Sequence, residues 1–275
     1  MMQIKGTTRI AGVIGWPVEH SRSPQILNRA FEIAGIDAVL VPIGVPPAGF
    51  APVIAGLRAM RALGASVTVP HKLAAAALCD DLAPAARAIG AANCLQFDGD
   101  RLVGHNTDEV GFLDGLRASG FDRSEARAVV LGGGGAARAI AYALRGGRVD
   151  VIARHPEQVM WTRARPWSPD DLRDAFTTAD LVVDCTPVGL GGEDAQHAFV
   201  DQLPFDALRS QAWVATLVYH QPTILLERAN ARGHSTLDGR AMLVHQAARA
   251  FTIWTSTPAP IDAMTRALED SLRGT

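Results

Sequence analysis

Two kinds of residue pattern in this 275-residue chain could do chemistry. One is a glycine-rich turn, Leu131-Gly132-Gly133-Gly134-Gly135-Ala136-Ala137-Arg138. Such a turn lets a backbone approach a phosphate, and the N-terminus of a following helix favours the negative charge. The other is a set of four polar stretches at the ends of apolar runs: GWPVEHSRSP over 15–24, SVTVPHK over 66–72, GAANCL over 90–95 and GHNTD over 104–108. In an open α/β sheet, ligands bind beyond the carboxyl ends of the strands. Lys72, Asn93 and Asp108 could therefore meet at one small polar molecule.

The elements that must position these residues follow from periodicity. Arg9–Gly15 reads as a first strand, and Ser23-Pro24 as an N-cap followed by proline at the first helical position. Ile26, Leu27, Ala30, Phe31 and Ala34 share one helical face, and Gly35 ends that helix. Val39–Ile43 is a second strand, Phe50, Val53, Ile54 and Leu57 recur at helical spacing, and Ala65–Val69 is a third strand stopped by Pro70. Helical crossovers between successive strands predict a parallel sheet. Around the glycine turn, strand Ala128–Leu131, helix Ala136–Arg145 and strand Val149–Ala153 give the βαβ setting of a dinucleotide loop. Further strands are expected at Leu181–Asp184 and Trp213–Val218, with a loop over 187–192 between them. Helices are expected over Arg240–Trp254 and Ile261–Leu272. These last two helices either cap the dinucleotide domain or return to the first.

Bulk properties narrow the class. A net charge of −2 offers no electrostatic case for nucleic acid or an anionic membrane surface. Residues 1–6 lack the apolar run of a secretory leader, and no segment is long and apolar enough to span a bilayer. Cys79, Cys94 and Cys185 are widely spaced with no CxxC, which predicts reduced thiols in a cytoplasmic protein. The histidines include no HExxH pair, so no metal site is expected.

With those stretches in place, the chain resembles the shikimate dehydrogenase family. The resemblance continues past the glycine turn through Cys185-Thr186-Pro187-Val188-Gly189, Leu217-Val218-Tyr219 and GRAMLVHQ over 239–246, so it covers nearly the whole chain in order. It implies reversible NADP-linked reduction of 3-dehydroshikimate to shikimate, a cyclohexene carboxylate. It also implies roles. Ser21 and Ser23, with Tyr219, hold the substrate carboxylate; Thr68 and Asn93 bind ring hydroxyls; Ser66 lines the ring; Gln246 reaches in from a C-terminal helix. Lys72 and Asp108 flank the reacting hydroxyl, where a lysine can give a proton to the developing alkoxide and take it back in reverse. Which of the pair carries the proton is left open. Gly132, Gly133, Gly134, Gly135, Ala136, Arg154, Thr186, Leu217 and Gly239 are the implied cofactor contacts.

The second Rossmann strand ends in Ile152-Ala153-Arg154-His155, with no carboxylate for a ribose 2′-hydroxyl. Arg154 offers a planar fork for a 2′-phosphate instead, which favours NADP over NAD. The missing acid also argues against S-adenosylmethionine methyltransferases. Family members using NADP usually carry Asn-Arg-Thr here, and only the arginine is kept. Ser66 stands where the family usually has asparagine, Thr216 where aspartate is common, and Asp184 where asparagine is usual. Ser66 raises quinate or an amino-substituted analogue as alternative substrates. A ligand-binding sensor of low activity is the alternative from another class; the Lys72–Asp108 pair argues against it, because binding alone needs no proton donor. The expected architecture is α/β. A substrate domain with a parallel-type sheet spans 1–108 and is completed by helices in 240–275; a doubly wound Rossmann domain spans 109–239. The chain is expected to act as a monomer or homodimer.

Overall fold

The computed structural model describes residues 4–122 and 125–273. Half of the stretch read for a leader, Met1–Gln3, lies outside the described residues. The chain divides into two compact units, Met1–Gly111 with Leu243–Thr275, and Phe112–Met242.

The first unit runs β1 (Arg9–Gly15), α1 (Ser23–Ile33), β2 (Ala38–Gly44), α2 (Phe50–Ala59), β3 (Gly64–Val67), α3 (Lys72–Leu78), β4 (Asp81–Leu82), α4 (Pro84–Ile89), β5 (Cys94–Asp98), β6 (Arg101–His105) and the start of α5 (Asp108–Ala118). Its sheet has the order β2-β1-β3-β5-β6-β4. β1 pairs in parallel with β2 and β3, as the crossover helices require. The other half departs from the parallel expectation: β5 is antiparallel to both β3 and β6. Only Gly99 and Asp100 separate β5 from β6, and so short a loop can join only antiparallel strands.

Helix α1 begins at Ser23 itself, so Ser23 is not the cap. The cap position is Arg22, without a side-chain cap bond, and Pro24 sits in the first turn. Strand β3 ends at Val67, two residues short of the expected Val69. There the chain turns so that the His71 N–H reaches the Thr68 carbonyl at 2.9 Å. The face of α1 that carries Ile26, Leu27, Ala30 and Phe31 is fully buried. It packs with Ala11, Val13 and Leu40 of the sheet and with Val244, Ala247, Phe251, Met264 and Leu268 from the C-terminal helices. Each large apolar side chain so buried stabilises the fold by roughly 1.5–3 kcal/mol. The C-terminal helices thus share the core of the first unit.

The second unit continues with β7 (Arg127–Leu131), α6 (Gly135–Ala143), β8 (Arg148–Ala153), β9 (Arg165–Pro166), α7 (Pro169–Thr178), β10 (Leu181–Asp184), α8 (Glu193–Val200), β11 (Trp213–Thr216), α9 (Ile224–Ala231) and β12 (Ser235–Leu237). The loop expected over 187–192 contains a short 3₁₀ turn, Val188–Leu190. Helix α6 stops two residues before Arg145, and β11 stops at Thr216, where the Val218 N–H leaves the ladder for the Thr216 hydroxyl at 3.4 Å. All six strands pair in parallel in the order β12-β11-β10-β7-β8-β9. Numbered within the unit this is the 3-2-1-4-5-6 order of the Rossmann fold. Alternate residues of β7 face opposite cores: Ala128 and Val130 one, Val129 and Leu131 the other. Burial on both faces is what a parallel sheet demands.

Helices α10 (Arg240–Thr255) and α11 (Ile261–Arg273) complete the chain. The borders between units fall inside α5 and α10, a few residues after the helix starts at 108 and 240.

Candidate active site

One edge of the first unit's sheet gathers the polar stretches. β1, β3 and β6 end there and β5 begins there. Ser66 pairs with Cys94, which pairs with His105. Beyond the strand ends the backbone carries the pairing on. The Val67 N–H donates to the Asn93 carbonyl at 2.8 Å, the Asn93 N–H to the His105 carbonyl at 3.0 Å, and the Trp16 N–H to the Val69 carbonyl at 3.0 Å. Residues from four distant parts of the sequence therefore share one rim.

Lys72 and Asp108 meet on this rim, with Lys72 Nζ 2.6 Å from Asp108 Oδ2. The carboxylate side chain is 8% exposed and the lysine 21%, so the pair is shielded yet reachable. Asp108 opens α5, where the helix N-terminus favours a negative charge. Asn106 Oδ1 accepts the Asp108 N–H at 3.1 Å, an Asx-type turn that aims Asp108. Asn93 fixes the other carboxylate oxygen: its Nδ2 donates to Asp108 Oδ1 at 2.8 Å. Thr107 sets that amide's orientation, because its backbone N–H donates to Asn93 Oδ1 at 2.6 Å and so leaves Nδ2 for Asp108. Gln246 Oε1 lies 3.4 Å from Thr107 Oγ1 and 3.5 Å from Asn93 Nδ2.

Sequence reasoning missed Thr107, Asn106 and one glycine. A Cβ on Gly111 would lie 2.7 Å from the backbone nitrogen of Gln246, so only glycine lets α10 approach closely enough to deliver Gln246. A signal was available, since Gly111 and Gly115 are spaced as small residues at a close helix contact.

Ser21 lies between β1 and α1, Ser23 is the first residue of α1, and Ser21 Oγ accepts the Ser23 N–H at 3.3 Å. Ser23 and Ser66 are buried, and Thr68 is half-buried. Neither the Ser66 nor the Thr68 hydroxyl has a partner among the described residues. Among the described residues no hydrogen bond joins these four hydroxyl residues to the Lys72 network. Among the described residues no group of three or more His, Cys, Asp or Glu side chains could hold a metal ion, and no helix is long and apolar enough to cross a membrane. All three cysteines are unpaired.

The remaining predicted residues belong to the second unit. Gly132 has φ +113°, a left-handed conformation that favours glycine, and its Cβ would lie 3.4 Å from the Cys185 carbonyl group. Gly134 and Gly135 face open space, and Ala136 is half-buried behind them in α6. Buried Ala137 lets this helix lie close on the sheet. A turn that is open on its outer side and followed by a helix N-terminus fits a pyrophosphate. It lies where β7 and β10 separate the two halves of the sheet, the point at which such folds bind dinucleotides.

Asp184, at the end of β10, is 2% exposed; its Oδ1 accepts the Thr186 N–H at 2.9 Å. Burial pushes its carboxyl up to about 6, against the opposing hydrogen bonds from Thr186. The Gly239 N–H donates to the Val218 carbonyl, and a Cβ there would collide with the carbonyl of Leu217. Arg154 follows β8 and is exposed, as a contact for a phosphate must be. Tyr219 is half-buried, with its ring edge-on to His220.

One unit with a Rossmann sheet and an open glycine turn, and another carrying a buried lysine–carboxylate pair, define a dinucleotide-binding α/β protein of the two-domain oxidoreductase class. Residues 13–95 match the family model for the shikimate dehydrogenase substrate binding domain, and residues 239–269 match that for the shikimate 5′-dehydrogenase C-terminal domain. The NADP(+) shikimate dehydrogenase of Acidiphilium cryptum is 42% identical, over 99% of this chain and 100% of that one. The Thermus thermophilus shikimate 5-dehydrogenase, solved with NADP(H) and shikimate, superposes with a TM-score of 0.84 at 32% identity, covering 96% of this chain and 100% of that one. A ligand-free 5-ketofructose reductase from a Gluconobacter strain superposes with a TM-score of 0.83 at 30% identity, covering 97% and 100%. The chain belongs to the shikimate dehydrogenase family.

Proposed function

We propose that this protein catalyses the reversible, NADP-dependent reduction of 3-dehydroshikimate to shikimate. The observation that carries the reading is the shielded Lys72–Asp108 pair, 2.6 Å apart, in a chain of this family. A bound NADPH would supply the hydride in reduction, and NADP⁺ would accept it in the reverse direction. The chain's own residues handle the proton and the geometry. Lys72 Nζ uses one of its three N–H donors on Asp108, leaving others for the reacting oxygen. As charge builds on that oxygen Lys72 gives it a proton; in oxidation it withdraws one. Asp108, pinned by Asn93, keeps Nζ in place and accepts from the substrate hydroxyl. Ser21, Ser23 and Tyr219 offer hydroxyl donors to the carboxylate, and Asn93, Thr68 and Gln246 bind ring hydroxyls. In the second unit the glycine turn receives the pyrophosphate, Arg154 the 2′-phosphate, and Thr186, Leu217 and Gly239 line the rest of the dinucleotide. Unpaired cysteines fit a reducing, cytoplasmic setting, in which the chain acts as a monomer or homodimer.

The test is absorbance at the reduced-nicotinamide band with shikimate and either NADP or NAD. Lys72→Ala should lower kcat by about 10²–10⁴-fold while shikimate binds within a few-fold of wild type. A variant that keeps wild-type kcat refutes the assignment, and a wild type that binds both ligands without turnover makes the protein a sensor.

Ser66 supports a second reading, in which quinate or an amino-substituted analogue is the better substrate. Serine is shorter than the family's asparagine, and its hydroxyl has no partner among the described residues, so it leaves room and one free hydrogen-bonding group at the rim.

A further inference from the structure

The stretch after Arg154 doubles back over the glycine turn. Val159 is buried, and its Cγ2 would lie 2.4 Å from a Cβ placed on Gly133, so this side chain sits against the turn's inner face. Two residues on, Trp161 Nε1–H donates to the Gly133 carbonyl at 3.2 Å. Trp161 is half-buried and packs on the core formed by β7 and α6. In a trans peptide the carbonyl and the following N–H point in opposite directions. A Gly133 carbonyl drawn inward to Trp161 therefore turns the Gly134 N–H outward. Gly134 is exposed, nothing lies within 4 Å of a Cβ placed on it, and its N–H makes no hydrogen bond among the described residues. A four-glycine run has little stiffness of its own, so its peptide planes need an external restraint.

We infer that Trp161 is a positioning residue for the dinucleotide: through the Gly133 carbonyl it holds the Gly134 N–H toward the pyrophosphate. The inference rests on the NADP reading above. Trp161 touches neither cofactor nor substrate in this role; it preorganises the peptide that does. Trp161 lies only seven positions after Arg154, on the same stretch of chain.

The experiment is isothermal titration of wild type and Trp161→Phe with NADP⁺ and, separately, with adenosine 2′-monophosphate. The second probe carries the adenine and the 2′-phosphate but no pyrophosphate. Phenylalanine keeps an aromatic ring and removes the N–H. Loss of one neutral hydrogen bond predicts a roughly fivefold weaker NADP⁺ affinity, with adenosine 2′-monophosphate and the KM for shikimate unchanged. Equal weakening of both nucleotides shows a general structural loss and overturns the inference, as does unchanged NADP⁺ affinity in a variant whose wild-type parent binds it. A wild type that binds no NADP⁺ refutes the cofactor reading itself and this inference with it.

Discussion

Asp184→Asn should make the protein more stable, by an amount that depends on pH. The carboxyl is 2% exposed and is raised by burial from an ordinary 3.8 to about 6. Between those values the folded state holds a proton that the unfolded state has released. Folded stability therefore falls as pH rises from about 4 to about 6 and is level above that. A difference of about 2 pH units, at about 1.4 kcal/mol each, makes the ionised carboxylate cost about 3 kcal/mol at pH 7 and above. Near pH 4.5 the same expression leaves a cost of about 1 kcal/mol. Asparagine keeps an oxygen for the Thr186 N–H and carries no charge. The titratable neighbour, Cys185, is itself raised by burial and by Asp184, and so stays a thiol through this window. Urea unfolding of both proteins at pH 8 and pH 4.5 measures the effect. Any pH-independent consequence of the new amide cancels in the difference, which should be about 2 kcal/mol in favour of the variant at the higher pH. A stability difference that is the same at both pH values refutes the argument.

Three further outcomes follow from the same geometry. Gly134→Ala should leave the melting temperature unchanged, because its φ of −79° suits alanine and the added methyl meets nothing, while titration should show NADP⁺ affinity reduced about tenfold or more by the lost close approach. Asn93→Ala strands the Thr107 N–H and one oxygen of Asp108, so chemical denaturation should show a loss of roughly 2–4 kcal/mol, with kcat falling alongside. Ser66→Asn should raise kcat/KM for shikimate over quinate in steady-state assays. A wild type that already matches the variant on shikimate and prefers nothing else removes the second substrate reading.

The helical face of α1, the glycine turn and the polar stretches were legible because each is local. A repeat of 3.6 residues, a run of small residues and a polar strand end all lie within about a dozen positions. The antiparallel β5–β6 hairpin turns on Gly99–Asp100, beyond the helix–strand alternation from which the parallel sheet was expected. The reading of Ser23 as a helix cap failed by one residue, since Arg22 takes that position and Ser21 supplies the side-chain acceptor. Thr107 and Trp161 escaped altogether. Nothing local distinguishes a threonine that orients an amide fourteen positions away, or an indole bonded to a carbonyl 28 positions away.

By itself the sequence determined the kinds of group available: a lysine and a carboxylate for a proton, hydroxyls for a carboxylate, and a glycine turn with an arginine in place of an acid. Only the tertiary structure decided which of these groups touch. Lys72 and Asp108 are 36 positions apart, and Asn93 and Gln246 are 153 apart. They are brought together because strands from distant parts of the chain end on one sheet edge, and because Gly111 lets α10 come close enough to place Gln246 there. Burial is a property of that packed whole, and it is burial that raises the Asp184 carboxyl above its ordinary value.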